Sequence, residues 1–234
     1  KSSYVSSVGK YVNLFERKIQ KFVKSKYCVS SINGTSALHL ALKVLGVKKN
    51  HQVIVPTITF IAPINSVIYN QAEPIFFDCD ESLNINTNDV IDFINNNTYF
   101  KNNRTYNKKN KKIISAIIIV HVFGNAVLMD GLVKICKKRN IKIIEDASES
   151  LGSYFKSGKF KGMHTGTVGD IGCVSFNGNK IITTGSGGAI ITNSKKISRD
   201  FLYLSTQAKD DPLFFKHNDI GFNYRMSNIN ASVG

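Results

Sequence analysis

Several residue types are scarce in this chain, and each scarcity excludes a class of protein. The 234 residues include no tryptophan and four prolines, and 16 acidic residues stand against 31 lysines and arginines. The four cysteines lie far apart with no C-x-x-C pair, so disulfide frameworks, redox motifs and metal sites of the zinc type are unsupported. No apolar run reaches the roughly 18 residues of a membrane span, and residues 1–18 lack a signal-peptide core. The sequence therefore indicates a soluble, cytoplasmic protein with reduced thiols.

The net charge of +15 is the most unusual bulk property of the chain. Such a charge is compatible with nucleic acid, a membrane surface or an anionic small molecule. The positive residues are dispersed, however, and their densest run, KNNRTYNKKNKK at 101–112, is rich in asparagine and predicts a solvated loop. Because the chain carries no helix-turn-helix signal, a nucleic-acid binder rests on charge alone. An acidic small-molecule substrate is compatible with this charge, which by itself indicates nothing more.

Apolar strand-like runs alternate with helical patterns along most of the chain. The helical patterns cover residues 8–23, 33–46, 62–70, 88–95 and 130–140. The near-continuous apolar runs cover residues 52–56, 74–78, 113–124 and 142–148. This alternation predicts an α/β fold with a mostly parallel central sheet and helices on both faces. In the second helix, Thr35 or Ser36 is predicted near the N-cap, and Gly46 is predicted to close the helix.

Ligands of parallel sheets bind beyond the carboxyl ends of the strands. That rule selects four short segments, residues 57–60, 121–125, 145–149 and 177–180. From its position alone, Asp146 is either a helix cap or a site residue. The four segments are expected to meet at one edge of the sheet.

Three features near this edge combine into one kind of site. The Gly34–Ser36 segment opens a helix with small residues, whose free N–H groups favour an anion. Asp146 follows a buried strand, and Lys180 lies in a turn between two apolar runs. A phosphate cradle, a carboxylate for a pyridinium nitrogen and a lysine amine are the groups that pyridoxal 5'-phosphate requires. Phe60 is available to stack on its ring.

These residues belong to seven segments that run nearly end to end. The segments are NGTSALHLAL (33–42), VPTITFIAPINSV (55–67), AEPIFFDCD (72–80), VHVFGNAVLMD (120–130), IEDASESLGS (144–153), GDIGCVSFNGNKIITTGSGG (169–188) and GFNYRMSNINASVG (221–234). Together they resemble the DegT/DnrJ/EryC1/StrS family of pyridoxal-phosphate-dependent sugar aminotransferases. The resemblance implies the fold type I architecture, similar to aspartate aminotransferase. It also implies that residues 1–234 form the cofactor-binding large domain with its N-terminal helix, and that a smaller C-terminal domain is missing.

The resemblance also implies a role for each site residue. Lys180 corresponds to the lysine that bonds the cofactor aldehyde and moves a proton, and Asp146 to the carboxylate at the ring nitrogen. The other cofactor-binding positions implied are Thr35, Ser36 and Ser175 at the phosphate, Phe60 on the ring, Glu149 near the ring oxygen, and Asn223 or Arg225 contributed by a second subunit of a homodimer. His121 lies near the substrate side without an assigned role.

The activity implied by the resemblance is amino transfer from L-glutamate to the 4-keto carbon of a nucleotide-linked deoxy sugar in amino-sugar biosynthesis. Two segments, 176–188 and 203–210, resemble most the enzymes that act on UDP-linked 4-keto-6-deoxy-N-acetylhexosamines. Lys180 is present where some relatives carry histidine and act as dehydratases, which favours transamination. The rival interpretation is a non-catalytic member of the same fold that binds the cofactor or a sugar nucleotide without turnover.

Overall fold

The apolar runs of the sequence form the strands of one large sheet in the computed structural model, which describes residues 3–211 and 213–234. The strands of this sheet are β1 Tyr27–Ser31, β2 Gln52–Pro56, β3 Glu73–Phe77, β4 Thr98–Lys101, β5 Arg104–Asn107, β6 Ile113–Val120, β7 Lys142–Asp146, β8 Ile171–Ser175 and β9 Gly188–Thr192. Strands β10 Lys209–Asp211 and β11 Lys216–His217 form a separate two-stranded sheet. The helices are α1 Lys10–Val23, α2 Gly34–Val44, α3 Ile61–Tyr69, α4 Thr87–Asn96, α5 Asp130–Arg139, α6 Lys195–Ser205 and α7 Asn228–Val233.

The main sheet is mostly parallel, as the sequence predicts. Its order is β1-β9-β8-β7-β6-β2-β3. The neighbours from β8 to β3 pair in parallel, whereas β9 runs antiparallel to both β8 and β1. The carboxyl ends of β6, β7 and β8 therefore meet at one edge. Val120 pairs with Asp146, and Asp146 pairs with Cys173, so this edge is in register.

Two layers of helices cover the sheet because its strands are apolar on both faces. Helices α2, α3 and α6 pack on one face, around Leu38, Leu40 and Phe201. Helices α4 and α5 pack on the other face, where β6 contributes Ile117 and Ile119. The same second face is extended by α1 and α7. Alternate residues of each strand enter opposite layers, which sets the direction of the residues at the strand ends.

Three expectations from the sequence are wrong in detail. The basic run at 101–112 is not simply a loop, because β4 and β5 form an antiparallel hairpin and β5 joins β6 in the main sheet. Strand β1 was not predicted. The N-cap of α2 is Asn33, whose Oδ1 accepts the N–H of Ser36 at 2.8 Å, so neither Thr35 nor Ser36 is the cap. Gly46, with φ of 86°, does close the helix.

The length and polarity of the helices bear on membrane insertion. Among the helices formed by residues 3–211 and 213–234, none combines the length and the apolar character that crossing a bilayer requires.

Candidate active site

A cavity of about 570 Å³ lies where the carboxyl ends of β6, β7 and β8 meet the start of α2. This volume is within the roughly 300–1,000 Å³ of small-molecule sites. All four segments that the strand-end rule selected contribute to its wall. Six of the predicted site residues line it: Thr35, Phe60, Asp146, Glu149, Ser175 and Lys180.

Lys180 extends into the cavity from the turn that follows β8. The backbone N–H of Lys180 donates to the carbonyl of Asn177 at 3.0 Å, which closes the turn. Only 15% of the lysine side chain is exposed, and its Nζ lies 3.4 Å from Oε1 of Glu149. The other carboxylate oxygen of Glu149 accepts the N–H of Phe123 at 3.3 Å. Glu149 therefore orients the amine while leaving it open to the cavity.

Asp146 is the last residue of β7 and is buried. Its Oδ1 accepts the backbone N–H of Ser148 at 3.0 Å. Burial raises the pKa of this carboxyl above its ordinary value of 3.8, while hydrogen bonding by Ser148 and the charge of Lys180 act in the opposite direction. A buried carboxylate with so few donors is held at a cost, and a cation placed against it would favour its ionised form.

The start of α2 forms the opposite wall of the cavity. Because Asn33 takes the N–H of Ser36, the N–H groups of Gly34 and Thr35 have no acceptor within the helix. A Cβ built on Gly34 would lie 3.0 Å from Cβ of Ser175 and 3.3 Å from Oγ of Ser148. The absent side chain thus lets the start of α2 pack closely against the two serines. The free N–H groups of this helix N-terminus lie in the cavity wall, where they favour an anion.

Two exposed aromatic side chains flank the mouth of the cavity. Phe60 is the N-cap residue of α3 and is 72% exposed. Phe123 is 75% exposed and adopts a left-handed backbone conformation, with φ of 50°. Both line the cavity, so an aromatic ring entering it would meet apolar surface.

Three predicted cofactor residues lie away from the cavity lining. Ser36 is buried on the third residue of α2. Asn223 is exposed and pairs through its backbone with Thr206. Arg225 contacts Glu16, and its Nη1 donates to the carbonyl and the Oγ of Ser30 at 3.0 and 2.9 Å. The arginine is thus held inside its own chain by a partly buried carboxylate.

His121 is fully buried behind the cavity wall and does not line it. Its Nδ1 accepts the N–H of Val127 at 3.2 Å, so the proton resides on Nε2 and is donated to Glu145 at 2.9 Å. The position of His121 after an apolar strand suggested a substrate contact, but the structure gives it a partner inside the chain.

The sequence reasoning missed several residues of this site. Ser148 holds Asp146, Asn33 caps α2, and Phe123 lies at the mouth. An acidic residue followed two positions later by serine is a turn pattern in which the acid accepts a backbone N–H. That pattern was the available signal for Ser148, whereas nothing in the sequence marks the exposure of Phe123.

Comparisons with known proteins agree with this geometry. The family model described as "DegT/DnrJ/EryC1/StrS aminotransferase family" matches residues 1–234. The chain is 39% identical to GDP-perosamine synthase of Escherichia coli O157:H7 over 234 residues, which are 100% of this chain and 58% of that protein. It is 31% identical to UDP-4-amino-4,6-dideoxy-N-acetyl-beta-L-altrosamine transaminase of Campylobacter jejuni, covering 97% of this chain and 56% of that protein.

The same likeness holds for solved structures. A DegT DnrJ EryC1 StrS aminotransferase from Brucella abortus superposes with a TM-score of 0.86 at 28% identity, covering 99% of this chain and 58% of that one. The chain thus spans a little over half the length of the relatives it matches. Both comparisons bear out the fold type I architecture expected from the sequence. The chain belongs to the DegT/DnrJ/EryC1/StrS aminotransferase family, whose aminotransferases depend on pyridoxal phosphate.

Proposed function

We propose that residues 1–234 form the cofactor-binding domain of a sugar aminotransferase that acts in amino-sugar biosynthesis. One observation carries the proposal: an amine, a buried carboxylate and a helix N-terminus open to an anion all face the same cavity. These are Lys180, Asp146 and the start of α2. Each matches a different part of pyridoxal 5'-phosphate. No pair of them is specific to that cofactor, and the proposal rests on the three together.

The residues present fit the chemical groups of the cofactor. The N–H groups of Gly34 and Thr35 would hold the phosphate, with the hydroxyl-bearing Ser175 on the same cavity wall. Asp146, at the carboxyl end of β7, would hold the ring nitrogen, and Phe60 would pack against the ring. When bound, pyridoxal phosphate supplies an aldehyde for the amino group and a protonated ring that withdraws electrons from the reacting carbon.

Lys180 is the proposed acid and base of the reaction. Its Nζ is the amine that faces the cavity, and Glu149 at 3.4 Å fixes its direction. In its neutral form this amine can accept a proton at Nζ, and once protonated it can return that proton to a neighbouring atom within hydrogen-bond reach. Because the turn at Asn177 closes on the backbone of Lys180, the amine needs little reorganisation for either step.

Asp146 holds charge rather than moving protons in this proposal. Its carboxylate lies on the α2 face of the sheet, away from bulk water. A cation on the ring nitrogen would compensate the burial that otherwise raises the pKa of Asp146. Asp146 would thereby hold the ring nitrogen in its protonated form while remaining ionised.

The proposed substrate is a nucleotide-linked deoxy sugar with a keto group at carbon 4, and the proposed donor is L-glutamate. Two relatives carry names that specify GDP-perosamine and a UDP-linked amino sugar. Because these names differ in the nucleotide, we propose the class of substrate and assign no base. The narrower UDP interpretation from segments 176–188 and 203–210 is one member of that class.

We further propose that a second copy of the chain completes the site. Phe60 and Phe123 expose large apolar surface at the mouth, and Ile181, beside the lysine, is 66% exposed. Apolar groups clustered at one mouth favour coverage by another protein surface. In the segment expected to reach across, Asn223 is exposed and available, whereas Arg225 is committed to Glu16 and Ser30.

The proposal is tested by adding pyridoxal phosphate and following absorption from the near-ultraviolet to the visible. We expect a lysine-dependent band, which L-glutamate then removes. Borohydride reduction and peptide mass spectrometry should place the cofactor on Lys180. Lys180→Ala should abolish the band and lower turnover with 4-keto sugar nucleotides by more than about 100-fold.

The matched control is Lys161→Ala, which removes an exposed lysine far along the chain from the turn. It should leave the band unchanged. A band that persists in Lys180→Ala contradicts the assignment. A band that forms normally but does not respond to L-glutamate supports the rival interpretation, a fold that binds the cofactor without turnover.

A further inference from the structure

A second cavity, of about 210 Å³, lies at the opposite edge of the sheet from the candidate active site. It is formed where β2, β6 and β7 begin, between the end of α2 and the β4–β5 hairpin. Its volume is below the roughly 300–1,000 Å³ of sites for drug-sized ligands. Only a small ligand, or one end of a larger one, fits inside.

The lining of this cavity carries positive charge and no acidic residue. Lys48, Arg104 and Lys142 line it from three different elements. Within residues 3–211 and 213–234, none of the three forms an ion pair, although other lysines and arginines of the chain do. Three unpaired cations that converge on one cavity repel each other, and an anion between them would remove that repulsion.

Two neutral groups add hydrogen-bond donors. Ser115 lines the cavity, and its Oγ is buried with no hydrogen-bond partner, an arrangement that costs free energy unless a ligand or water completes it. His51 accepts the N–H of Lys48 at Nδ1, at 3.4 Å, so the neutral ring carries its proton on Nε2. Burial, with the charges of Arg104 and Lys48, lowers the pKa of His51.

The walls of the cavity are fixed before any ligand arrives. Thr105 Oγ1 donates to the carbonyl of Arg139 at 2.5 Å, which ties β5 to the end of α5. Asn140 Nδ2 donates to the carbonyl of Asn103 at 2.9 Å, which ties the hairpin turn to the same helix end. Fixed walls reduce the entropy lost when a ligand binds.

Helix dipoles oppose an anion here, but only in part. Helices α2 and α5 both end near the cavity, and each helix C-terminus carries roughly half a negative charge. Three full positive charges outweigh these partial charges. The balance therefore remains positive, in a concave site with no competing carboxylate.

We propose that this second cavity binds a small phosphate-type oxyanion, either free phosphate or the phosphate end of a phosphomonoester. Arg104 and Lys142 contact the oxyanion by charge-assisted hydrogen bonds, and Ser115 donates from the cavity floor. The site is separate from the candidate active site and does not depend on the proposed aminotransferase function.

The test is a titration of the ¹⁵N-labelled chain with inorganic phosphate, with ionic strength held constant by sodium chloride. The readout is the set of backbone amide shifts, which locates the anion. We expect saturable shifts at residues 103–105, distinct from any at residues 33–36 in the active-site cavity. Glycerol 1-phosphate forms the second arm, and tighter binding than phosphate identifies a phosphomonoester as the better ligand.

Two variants that exchange an exposed arginine for glutamine provide the comparison. Arg104→Gln should weaken phosphate binding at residues 103–105 by about tenfold, whereas Arg17→Gln on α1 should leave it unchanged. The proposal is overturned if shifts at residues 103–105 are absent or fail to saturate. It is also overturned if both variants weaken binding equally, because bulk charge would then explain the effect.

Discussion

Glu145 and Asp146 are consecutive carboxylates at the end of β7, and they face opposite sides of the sheet. Glu145 accepts four hydrogen bonds: from the N–H groups of Gly166, Val168 and Gly169 at 2.6–2.8 Å, and from His121 at 2.9 Å. Asp146, on the α2 face, accepts hydrogen bonds from Ser148 alone among the described residues.

The pKa shifts of the two groups differ in sign for that reason. Burial raises the pKa of Glu145, but the hydrogen bonds from His121 and from the backbone N–H groups outweigh it, so the pKa falls below its ordinary value of 4.5. Burial also raises the pKa of Asp146, and the groups around it do not outweigh that effect. The chain supplies the Glu145 carboxylate with four hydrogen-bond donors, whereas the Asp146 carboxylate has too few donors to offset its burial.

The difference distinguishes a structural carboxylate from one available to a ligand. Both are buried, acidic and at the same strand end, so position alone cannot separate them. A carboxylate whose hydrogen bonds all come from its own chain has a structural role, because a ligand has nothing to add. A buried carboxylate that lacks hydrogen-bond donors and lies beside a cavity is a candidate site residue.

The largest effect is expected from Glu145→Gln. The amide cannot keep all four donors satisfied and removes the charge that compensates them, so the free energy of unfolding should fall by about 3 kcal/mol. Urea denaturation of the cofactor-free chain measures it. Glu81→Gln, at an exposed position, is the control and should change stability by less than about 0.5 kcal/mol. Equal effects of the two variants would contradict a structural role for Glu145.

A smaller effect, on cofactor affinity, is expected from Gly34→Ala, which alters the cavity that Asp146 faces. The added methyl group would lie 3.0 Å from Cβ of Ser175 and 3.3 Å from Oγ of Ser148, so the cavity wall proposed to hold the phosphate must shift. Pyridoxal phosphate should therefore bind about tenfold more weakly, a loss of roughly 1.4 kcal/mol, as measured by fluorescence titration. Gly178→Ala places its methyl group in open space and serves as the control. Unchanged affinity in Gly34→Ala would exclude the proposed phosphate position.

The smallest effect is a change in the pH dependence of stability. Glu145, whose pKa is lowered, contributes stability that is present above its ordinary pKa of 4.5 and is lost as pH falls through the folded-state value. Asp146, whose pKa is raised, acts in the opposite sense, and its contribution declines as pH rises above 3.8 toward the folded-state value. In acid denaturation series, Glu145→Gln should flatten the loss of stability below pH 4.5. Asp146→Asn should remove the gain in stability that Asp146 provides as pH falls toward 3.8, so the net loss on acidification becomes steeper above pH 3.8. If both variants changed the slope of unfolding free energy against pH in the same direction, the opposite pKa shifts of Glu145 and Asp146 would be contradicted.

Much of the fold was predictable because its strands are continuous apolar runs. Strand β2 begins and ends where the sequence predicted, and the strand-end rule brought the four selected segments to one cavity. The bounds of β2 follow from the local hydrophobic pattern. The meeting of the four segments follows from a general property of parallel sheets, whose carboxyl strand ends lie at one edge.

The parts that were missed depend on contacts that no local pattern shows. The β4–β5 hairpin is polar and basic, and it pairs only through β6. Asn33 rather than Thr35 caps α2, because the chain enters the helix two residues earlier than the small-residue pattern suggested. Arg225 meets Glu16 across 209 positions of sequence. Pairings of such separation follow from the assembled fold.

The most direct test compares Asp146→Asn with the parent chain, with and without pyridoxal phosphate. Without cofactor, the variant should be as stable as the parent or more stable by up to about 1 kcal/mol, because a buried charge has been removed. The parent should gain about 2.7 kcal/mol at cofactor concentrations 100 times its Kd, and the variant should lose at least half of that gain. A cofactor-free variant destabilised as strongly as Glu145→Gln, with its cofactor gain intact, would show that Asp146 is structural and would contradict the account.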